Sequence, residues 1–162
     1  MRKILKFDDI NILAKKLGLY VKSGDVLVLI GDLGTGKTTF TKEFAKSLGI
    51  TDNIKSPTFN YVLEYYGGRF PLYHFDMYRI SDPMEVYEIG YEDYIRGDGI
   101  SVIEWGDLIK SELPEEYIEL LFEYTDDLDN EKRYVTLSYV GEKKVGEDKK
   151  EEEMLRYVGF SD

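Results

Sequence analysis

Residues 31–40, GDLGTGKTTF, contain the complete phosphate-binding pattern G-x-x-x-x-G-K-[ST]. Gly31 and Gly36 permit the tight backbone path along which successive N–H groups converge on a β-phosphate. The helix that begins here directs its positive end at the same anion. Lys37 can reach the β- and γ-phosphate oxygens, and the hydroxyl of Thr38 is placed to bind Mg²⁺. The stretch therefore predicts a nucleoside triphosphate site.

The residues on either side of this loop have the character that such a site requires. VLVLI, residues 26–30, is an uninterrupted run of apolar side chains, which suits a strand buried on both faces of a parallel sheet. TTFTKEFAKSLG, residues 38–49, continues as a helix that ends at Gly49. A strand, a glycine loop and a helix in this order distinguish the pattern from a chance match.

Further segments predict how the rest of the chain folds. A helix is expected over residues 8–20, with Asp8 or Asp9 as its N-cap, and a helical segment over 81–95 with a break near Gly90. The expected strands are 58–66, 70–78, 99–105, 117–124 and 133–140, and a last helix is expected within 146–158. Alternating strands and helices predict an α/β, three-layer P-loop NTPase-like fold. Its largely parallel central sheet would gain antiparallel strands from the hairpins after residues 55 and 115.

Composition limits what the chain can do alone. We expect its 162 residues, 43% of them hydrophobic, to form a single P-loop domain, with 141–162 as an acidic C-terminal extension. A formal net charge of -11 makes it a poor solitary binder of nucleic acid, because that affinity rests on lysine and arginine. The chain has no cysteine, no signal-like start and no apolar run of bilayer length, which predicts a cytoplasmic protein that does not contact membranes.

Two acidic residues stand at the ends of apolar strands. Asp76 closes PLYHFD and Glu104 closes ISVIE. The carboxyl ends of parallel strands line the ligand crevice, so both acids can face Lys37 and Thr38. Glu104 follows the purer apolar run and is the better candidate to bind Mg²⁺ or its water shell. Asp76 is expected to orient the attacking water or to share the metal.

Other residues near these acids leave alternatives open. Thr58, which follows a proline, is either a switch threonine that closes on Mg²⁺ and the γ-phosphate or the start of a strand. Trp105 either packs in the core or stacks beside the nucleotide, and His74, the only histidine, is favoured as structural rather than as a general base. Arg79 is either a counter-charge for the γ-phosphate or a salt-bridge partner. No arginine clearly completes the site from within the chain, so full activity can depend on a partner.

The segments GDLGTGKTTF, KSPTF, YHFDMYRI, EIGYEDY and VIEW occur in an order and at a spacing that resemble the TsaE (YjeE) family. This family comprises small P-loop ATPases of bacterial tRNA threonylcarbamoyladenosine synthesis, and the resemblance spans residues 8–140. It implies that the loop binds ATP, with Thr38 and Glu104 as Mg²⁺ ligands. The residues that it places around ATP are Asp32, Leu33, Gly34, Thr35, Gly36, Lys37, Thr38, Thr39, Trp105 and Arg133.

The same resemblance implies a role in catalysis for Asp76, Glu104, Lys37 and Thr58, and places Phe7 or its neighbours beside the adenine. It also implies that the chain hydrolyses ATP, weakly when alone, while docked on a TsaD–TsaB pair. There TsaD modifies adenosine 37 of tRNA, so that tRNA is contacted indirectly at most. One departure from the family is Gly106, which follows the tryptophan where a proline is usual.

Two other functions stay open on the residues alone. A P-loop kinase for a metabolite or nucleoside would use the same loop, although such kinases need an arginine-bearing lid and the segment after Asp76 is acidic. A nucleotide-dependent binding module or GTPase-like switch is the third candidate, and no N-K-x-D element is present to read guanine. Release of free phosphate without a phosphorylated acceptor would separate the ATPase from the kinase.

Overall fold

A central strand and the helix that follows it position the glycine loop. The computed structural model describes residues 1–57, 59–128, 130–141 and 148–162. The strands are β1 (Arg2–Lys6), β2 (Val26–Gly31), β3 (Val62–Tyr65), β4 (Leu72–Asp76), β5 (Ile100–Glu104), β6 (Tyr117–Tyr124) and β7 (Lys132–Val140). The α-helices are α1 (Phe7–Tyr20), α2 (Lys37–Ser47), α3 (Tyr91–Ile95) and α4 (Asp148–Val158), and 3₁₀ segments cover Pro83–Tyr87 and Gly106–Glu112.

These strands form one sheet in the order β1-β7-β6-β2-β5-β4-β3. The four strands β6, β2, β5 and β4 run parallel to one another, whereas β1, β7 and β3 are joined by antiparallel pairing. The buried residues of β2 place it in the centre, because an apolar strand needs neighbours and cover on both faces. The predicted parallel sheet with antiparallel additions is therefore confirmed, and each predicted hairpin contributes one antiparallel strand.

Helical segments cover both faces of the sheet. On one face α1, α2 and α4 pack on a core that includes Leu27 and Leu29. On the other face α3 and the 3₁₀ segments pack on a core that includes Val28 and Ile103. Consecutive residues of β2 enter opposite cores, as the pleat of a strand requires. The result is the predicted three-layer α/β fold.

The helical segment predicted after β4 is interrupted at Gly90, as expected from the sequence. Gly90 has a φ of 73°, a left-handed conformation that glycine adopts without strain, and it is the N-cap of α3. The preceding 3₁₀ segment ends at Tyr87, so the break lies between them. None of the helices in the described part of the chain has both the length and the apolar character needed to traverse a bilayer.

The structure departs from the sequence predictions in several places, of which three concern β1, α1 and β3. Strand β1 was not predicted, and it exists through its antiparallel pairing with β7. Helix α1 begins at Phe7 with Lys6 as its N-cap, and Asp9 accepts a hydrogen bond from the Lys6 amide at 3.4 Å rather than acting as the cap itself. Strand β3 is shorter than expected, because Tyr61 has a φ of 58°, outside the extended region.

The C-terminal extension contains the expected helix and is part of the main core. Met154, Val158 and Phe160 are buried among the residues of α1 and the sheet. The Tyr20 and Tyr157 rings lie 5.3 Å apart at this junction. Burial of three apolar side chains contributes several kcal/mol, roughly 2 for each, so α4 stabilises the fold rather than trailing from it.

Candidate nucleotide-binding site

The glycine loop connects β2 to α2 in a conformation that requires its glycines. Gly36 is the N-cap of α2 with a φ of 110°, in the left-handed region that other residues avoid. A Cβ atom at Gly31 would lie 2.6 Å from the carbonyl oxygen of Phe122 on β6, closer than atoms can pack. The loop therefore sits directly on the sheet, and its path brings the first amides of α2 to the carboxyl ends of the strands.

Lys37 is folded over the loop. Its side chain is 5% exposed, and Nζ donates hydrogen bonds to the carbonyls of Gly31 and Asp32, the latter at 2.9 Å. The ammonium also lies 4.3 Å from the centroid of the Trp105 ring. Burial lowers the pKa of Lys37 from its ordinary 10.5, and the carboxylate of Glu104 counters this by favouring the charged form. The ammonium of Lys37 is thus buried at the loop and forms no ion pair with any of the described residues.

Two side chains from the sheet brace the outer side of the loop. Arg133 on β7 is 2% exposed, and its Nε donates to the Thr35 carbonyl at 3.3 Å. The hydroxyl of Tyr124 on β6 donates to the Leu33 carbonyl. The Arg133 guanidinium lies 4.6 Å from the Tyr124 ring centroid and 5.0 Å from that of Phe7. Because these groups hydrogen-bond to carbonyls of the loop from one side, the backbone amides of the loop can face a ligand on the other side.

The two predicted acids lie side by side at the ends of β4 and β5. Asp76 and Glu104 are partners in the parallel register. Glu104 is 2% exposed, and its Oε1 accepts a hydrogen bond from the Thr38 hydroxyl at 2.9 Å. Its Oε2 contacts the ring nitrogen Nε2 of His74. The carboxylate of Glu104 therefore joins the sheet to the first turn of α2.

Asp76 is held by different groups. Its Oδ2 accepts a hydrogen bond from the Ser56 hydroxyl at 3.0 Å, and its Oδ1 accepts one from the amide of Tyr78 at 3.0 Å. Asp76 is half-buried, while Ser56 and Tyr78 are exposed. The acid that we expected to orient water thus stands nearer to solvent than the acid that we expected to bind metal.

These groups surround a cavity of about 380 Å³, a size suited to a small-molecule ligand. Nine of the predicted site residues line it, namely Leu33, Gly34, Gly36, Lys37, Thr38, Thr39, Asp76, Glu104 and Trp105. Asp32, Thr35 and Arg133 are not among its lining residues. Asp32 and Thr35 belong to the loop and are joined by a hydrogen bond from the Thr35 hydroxyl to the Asp32 carbonyl, and Arg133 contacts the loop from outside. The fourth residue predicted to be catalytic, Thr58, lies outside the described residues.

The oxygen atoms of the site suit magnesium. Thr38 and Glu104 present a hydroxyl and a carboxylate 2.9 Å apart, and hard cations prefer oxygen ligands. In the described part of the chain no three acidic or histidine side chains are grouped so that they could hold a metal by themselves. Mg²⁺ is commonly bound by one or two protein oxygens together with substrate phosphates, which is the arrangement that these residues allow.

Comparisons with known proteins agree with this geometry. The sequence model of the family described as threonylcarbamoyl adenosine biosynthesis protein TsaE matches residues 5–134. This chain belongs to the TsaE family. It is 42% identical over 134 residues to the tRNA threonylcarbamoyladenosine biosynthesis protein TsaE of Bacillus subtilis, covering 83% of this chain and 82% of the relative. The protein of that name in Treponema pallidum is 46% identical over 99 residues, covering 61% of this chain and 73% of its own length.

A solved structure resembles this chain over more of its length than the family match covers. The crystal structure of Bacillus subtilis YdiB superposes with a TM-score of 0.73 at 35% sequence identity, covering 98% of this chain and 96% of that protein. The family match itself ends at residue 134, before the C-terminal helix. The fold class is therefore shared along the full length, α4 included.

One residue of this TsaE chain explains a local departure. Gly106 follows Trp105 at the end of β5, and a Cβ atom there would lie 2.4 Å from Cγ1 of Val28. Trp105 itself has a φ of 59°, a left-handed conformation. A proline or any other larger residue at 106 would require the chain to shift here. The Trp105 ring lies beside Lys37 in the cavity wall and also packs against the core on the Val28 side of the sheet.

Sequence reasoning did not identify three tyrosines of the site. Tyr61 and Tyr78 line the cavity, and Tyr124 braces the loop. Tyr78 stacks near Trp105 with a centroid distance of 5.0 Å. Tyr78 lies in the same DMYRI segment as Asp76, and this proximity in sequence could have identified it. Tyr61 and Tyr124 reach the site through contacts between distant segments, which the sequence does not reveal. Arg79, weighed as a counter-charge, lines the cavity and makes no ion pair with a described acid.

Proposed function

We propose that this chain is an ATP-binding and ATP-hydrolysing accessory subunit of the tRNA threonylcarbamoyladenosine modification machinery. Family membership supports the biosynthetic role, since its relatives carry that biosynthesis in their names. The observation that carries the ATPase assignment is the contact between Thr38 and Glu104. A loop hydroxyl and a strand-end carboxylate lie 2.9 Å apart beside a second acid, Asp76. P-loop NTPases hold Mg²⁺ with a loop hydroxyl and a strand-end acid, so this contact supports the proposal.

Binding of ATP would use the loop amides and Lys37. The amides at the start of α2 would hold the β-phosphate, and Lys37 would leave the loop carbonyls to contact β- and γ-phosphate oxygens. Trp105, which already contacts the ammonium, would remain at the edge of the nucleotide. Burial at 5% exposure makes each of these charge interactions stronger than it would be in water.

Thr38 and Glu104 would hold Mg²⁺ directly or through its water shell. When bound, the ion would neutralise phosphate charge and polarise the γ-phosphate. Asp76 would orient the attacking water, because its carboxylate is fixed by Ser56 and Tyr78 and faces the same cavity. For Thr58 we keep the proposal that it acts as a switch residue that closes on the γ-phosphate.

We further propose that hydrolysis is slow until a partner docks, and that this partner is the TsaD–TsaB pair. Arg79 is the one arginine among the residues that line the described cavity, and its guanidinium lies 5.5 Å from the Phe59 ring, so it is not fixed toward the phosphates by an acid. The formal charge of -11 leaves tRNA contact to a partner. The setting would be the cytoplasm, with the whole chain working as one domain.

The decisive experiment measures nucleotide binding and phosphate release separately. Calorimetry should detect ATP uptake by the parent protein, and Glu104→Ala should retain uptake but lose hydrolysis in the assembled TsaD–TsaB complex. Phosphate should appear free, without a phosphorylated small-molecule acceptor, which separates the ATPase from a P-loop kinase. No adenine nucleotide uptake, or parental hydrolysis by Glu104→Ala, would overturn the assignment.

A further inference from the structure

The histidine beneath the acids has a contact that its burial makes informative. His74 lies on β4, two residues before Asp76, and its side chain is 0% exposed. Its Nε2 contacts Oε2 of Glu104, the oxygen that Thr38 does not occupy. In the sheet it is flanked by Leu63 on β3 and Val102 on β5, which offer no polar side-chain atoms.

The other ring nitrogen defines the protonated form. Nδ1 of His74 is buried and has no hydrogen-bond partner among the described residues. A buried N–H without an acceptor is rarer and more costly than an unsatisfied acceptor, so the proton belongs on Nε2. Nε2–H then donates to the Glu104 carboxylate, and the imidazole has one polar contact in the interior.

Two side chains therefore hold the Glu104 carboxylate, and the two contacts are expected to change differently when nucleotide binds. The Thr38 hydroxyl, which donates to Oε1, is the group that the proposed function assigns to Mg²⁺. Once that hydroxyl turns to the metal, the contact from His74 is the remaining described side-chain hydrogen bond that fixes the carboxylate. A ligand oriented by a buried outer partner is a common arrangement of metal sites.

We propose that His74 is a positioning residue, which fixes the orientation of the Glu104 carboxylate so that Oε1 is presented to Mg²⁺. The inference rests on the proposed function, because it requires Glu104 to face a metal–nucleotide complex. His74 itself does not reach the reacting atoms, since it is fully buried and is absent from the residues lining the cavity. It is therefore not a general base.

The first test compares two substitutions with a matched control. His74→Leu removes the hydrogen-bond donor and puts an apolar side chain in its place. His74→Gln retains a side-chain N–H that can reach toward Glu104. Leu72→Ala is the control, because Leu72 is a buried residue of the same strand and face. It lowers stability without touching Glu104, and thermal unfolding should confirm that all three variants fold.

The readout is Trp105 fluorescence, since this sole tryptophan lines the cavity and reports nucleotide uptake without turnover. For His74→Leu we expect unchanged ATP affinity in EDTA, while the Mg²⁺ midpoint rises about tenfold, the usual size of an outer-partner effect. His74→Gln should recover most of that loss, and Leu72→Ala should show none. A folded His74→Leu with the parental Mg²⁺ midpoint, or with equal loss in EDTA, would overturn the inference.

A second test does not depend on nucleotide binding. His74 is the only histidine, so long-range proton–nitrogen NMR of the labelled protein gives one unambiguous imidazole spectrum. The spectrum should show the Nε2–H tautomer, and Glu104→Gln should shift its Nε2 resonance. An Nδ1–H tautomer, or a spectrum indifferent to Glu104→Gln, would overturn the positioning role. Absence of ATP uptake by a parent protein with the expected spectrum would instead contradict the proposed function.

Discussion

The two walls of the nucleotide cavity are built differently. On the phosphate wall, Lys37, Glu104 and Arg133 are 5%, 2% and 2% exposed, and each makes hydrogen bonds that hold it in place. On the opposite wall, Asp76 is half-buried, and the side chains that accompany it, Ser56, Tyr78 and Arg79, are exposed. Phe59, which contacts Arg79, is 82% exposed.

This difference suggests that binding and hydrolysis are organised separately. Buried, multiply bonded groups lose little freedom when a ligand arrives, so the phosphate wall is preorganised for nucleotide. Exposed groups open at lower cost than buried ones and are the parts of proteins that partners commonly order. Under the proposed function, we therefore expect the chain to bind ATP by itself, and we expect the wall that positions water to gain its final arrangement from a partner.

Asp76→Asn should produce the largest difference between the effects on hydrolysis and on ATP binding. We expect phosphate release by the assembled complex to fall about 10³-fold, within the range for loss of a general base, with ATP affinity unchanged. The affinity should persist because the amide oxygen can still accept from Ser56 or Tyr78. Steady-state phosphate release and calorimetry measure the two effects. Asp98→Asn, which neutralises an exposed acid distant from the cavity residues, is the control.

Asp76→Asn with parental turnover would place water activation elsewhere. A parallel loss of ATP affinity would show that the exposed wall contributes to binding, which would remove the distinction between the walls.

Lys37→Ala should act on the phosphate wall with the next largest effect. Removing a charge-assisted contact to two phosphates should weaken ATP binding by at least 100-fold, roughly 3 kcal/mol. Lys42→Ala, an exposed lysine on the same helix, keeps the net charge change but should bind ATP normally. Titration of Trp105 fluorescence measures both variants. Equal loss in both would mean that overall charge, rather than the position of Lys37, governs affinity.

The strand, glycine loop and helix that form the phosphate wall were predictable because they are local in the sequence. The apolar run, the glycines and the helix start occupy residues 26–49 without interruption, and each has its own physical signature. The strand-end positions of Asp76 and Glu104 were also readable, since the chain topology alone brings such ends together. The predicted three-layer fold followed from the same alternation of strands and helices.

Contacts between distant segments were not predictable in the same way. Strand β1, RKILK, has no buried residue, so its strand conformation depends on pairing with β7 and not on its own pattern. The resemblance placed Arg133 around ATP, and in the structure Arg133 donates to the carbonyl of Thr35, 98 residues earlier. A contact to a backbone carbonyl leaves no mark in the sequence of the acceptor, because every residue carries one.

Arg133→Met tests whether bracing by β7 matters to the phosphate wall. If Arg133 shapes the loop, ATP, GTP and tripolyphosphate should each bind about tenfold more weakly, the cost of about one buried charged hydrogen bond. If Arg133 contacts the base, ATP affinity should fall while tripolyphosphate affinity does not. Competition against a fluorescent nucleotide measures all three ligands. Arg2→Met, which removes an exposed arginine on β1, should leave them unchanged.

The smallest expected effect is a pH dependence of ATP binding. Burial lowers the pKa of Lys37 below 10.5, and only the charged ammonium attracts phosphate, so ATP affinity should fall as pH rises through that lowered pKa. The decline should not exceed about tenfold per pH unit, since one proton is involved. Lys37→Arg should flatten the profile because arginine stays charged. Parallel profiles for the two proteins below pH 10.5 would contradict this origin.

The effect of Lys37 on the stability of the fold cannot cause the same decline in ATP affinity. A lysine whose pKa is lower in the folded protein binds fewer protons there than in the unfolded chain. The contribution of Lys37 to the free energy of unfolding therefore rises with pH between its folded pKa and 10.5. ATP affinity and this stability contribution should change in opposite directions, so thermal unfolding of the nucleotide-free protein at each pH assigns any lost affinity to the charge on the phosphate wall.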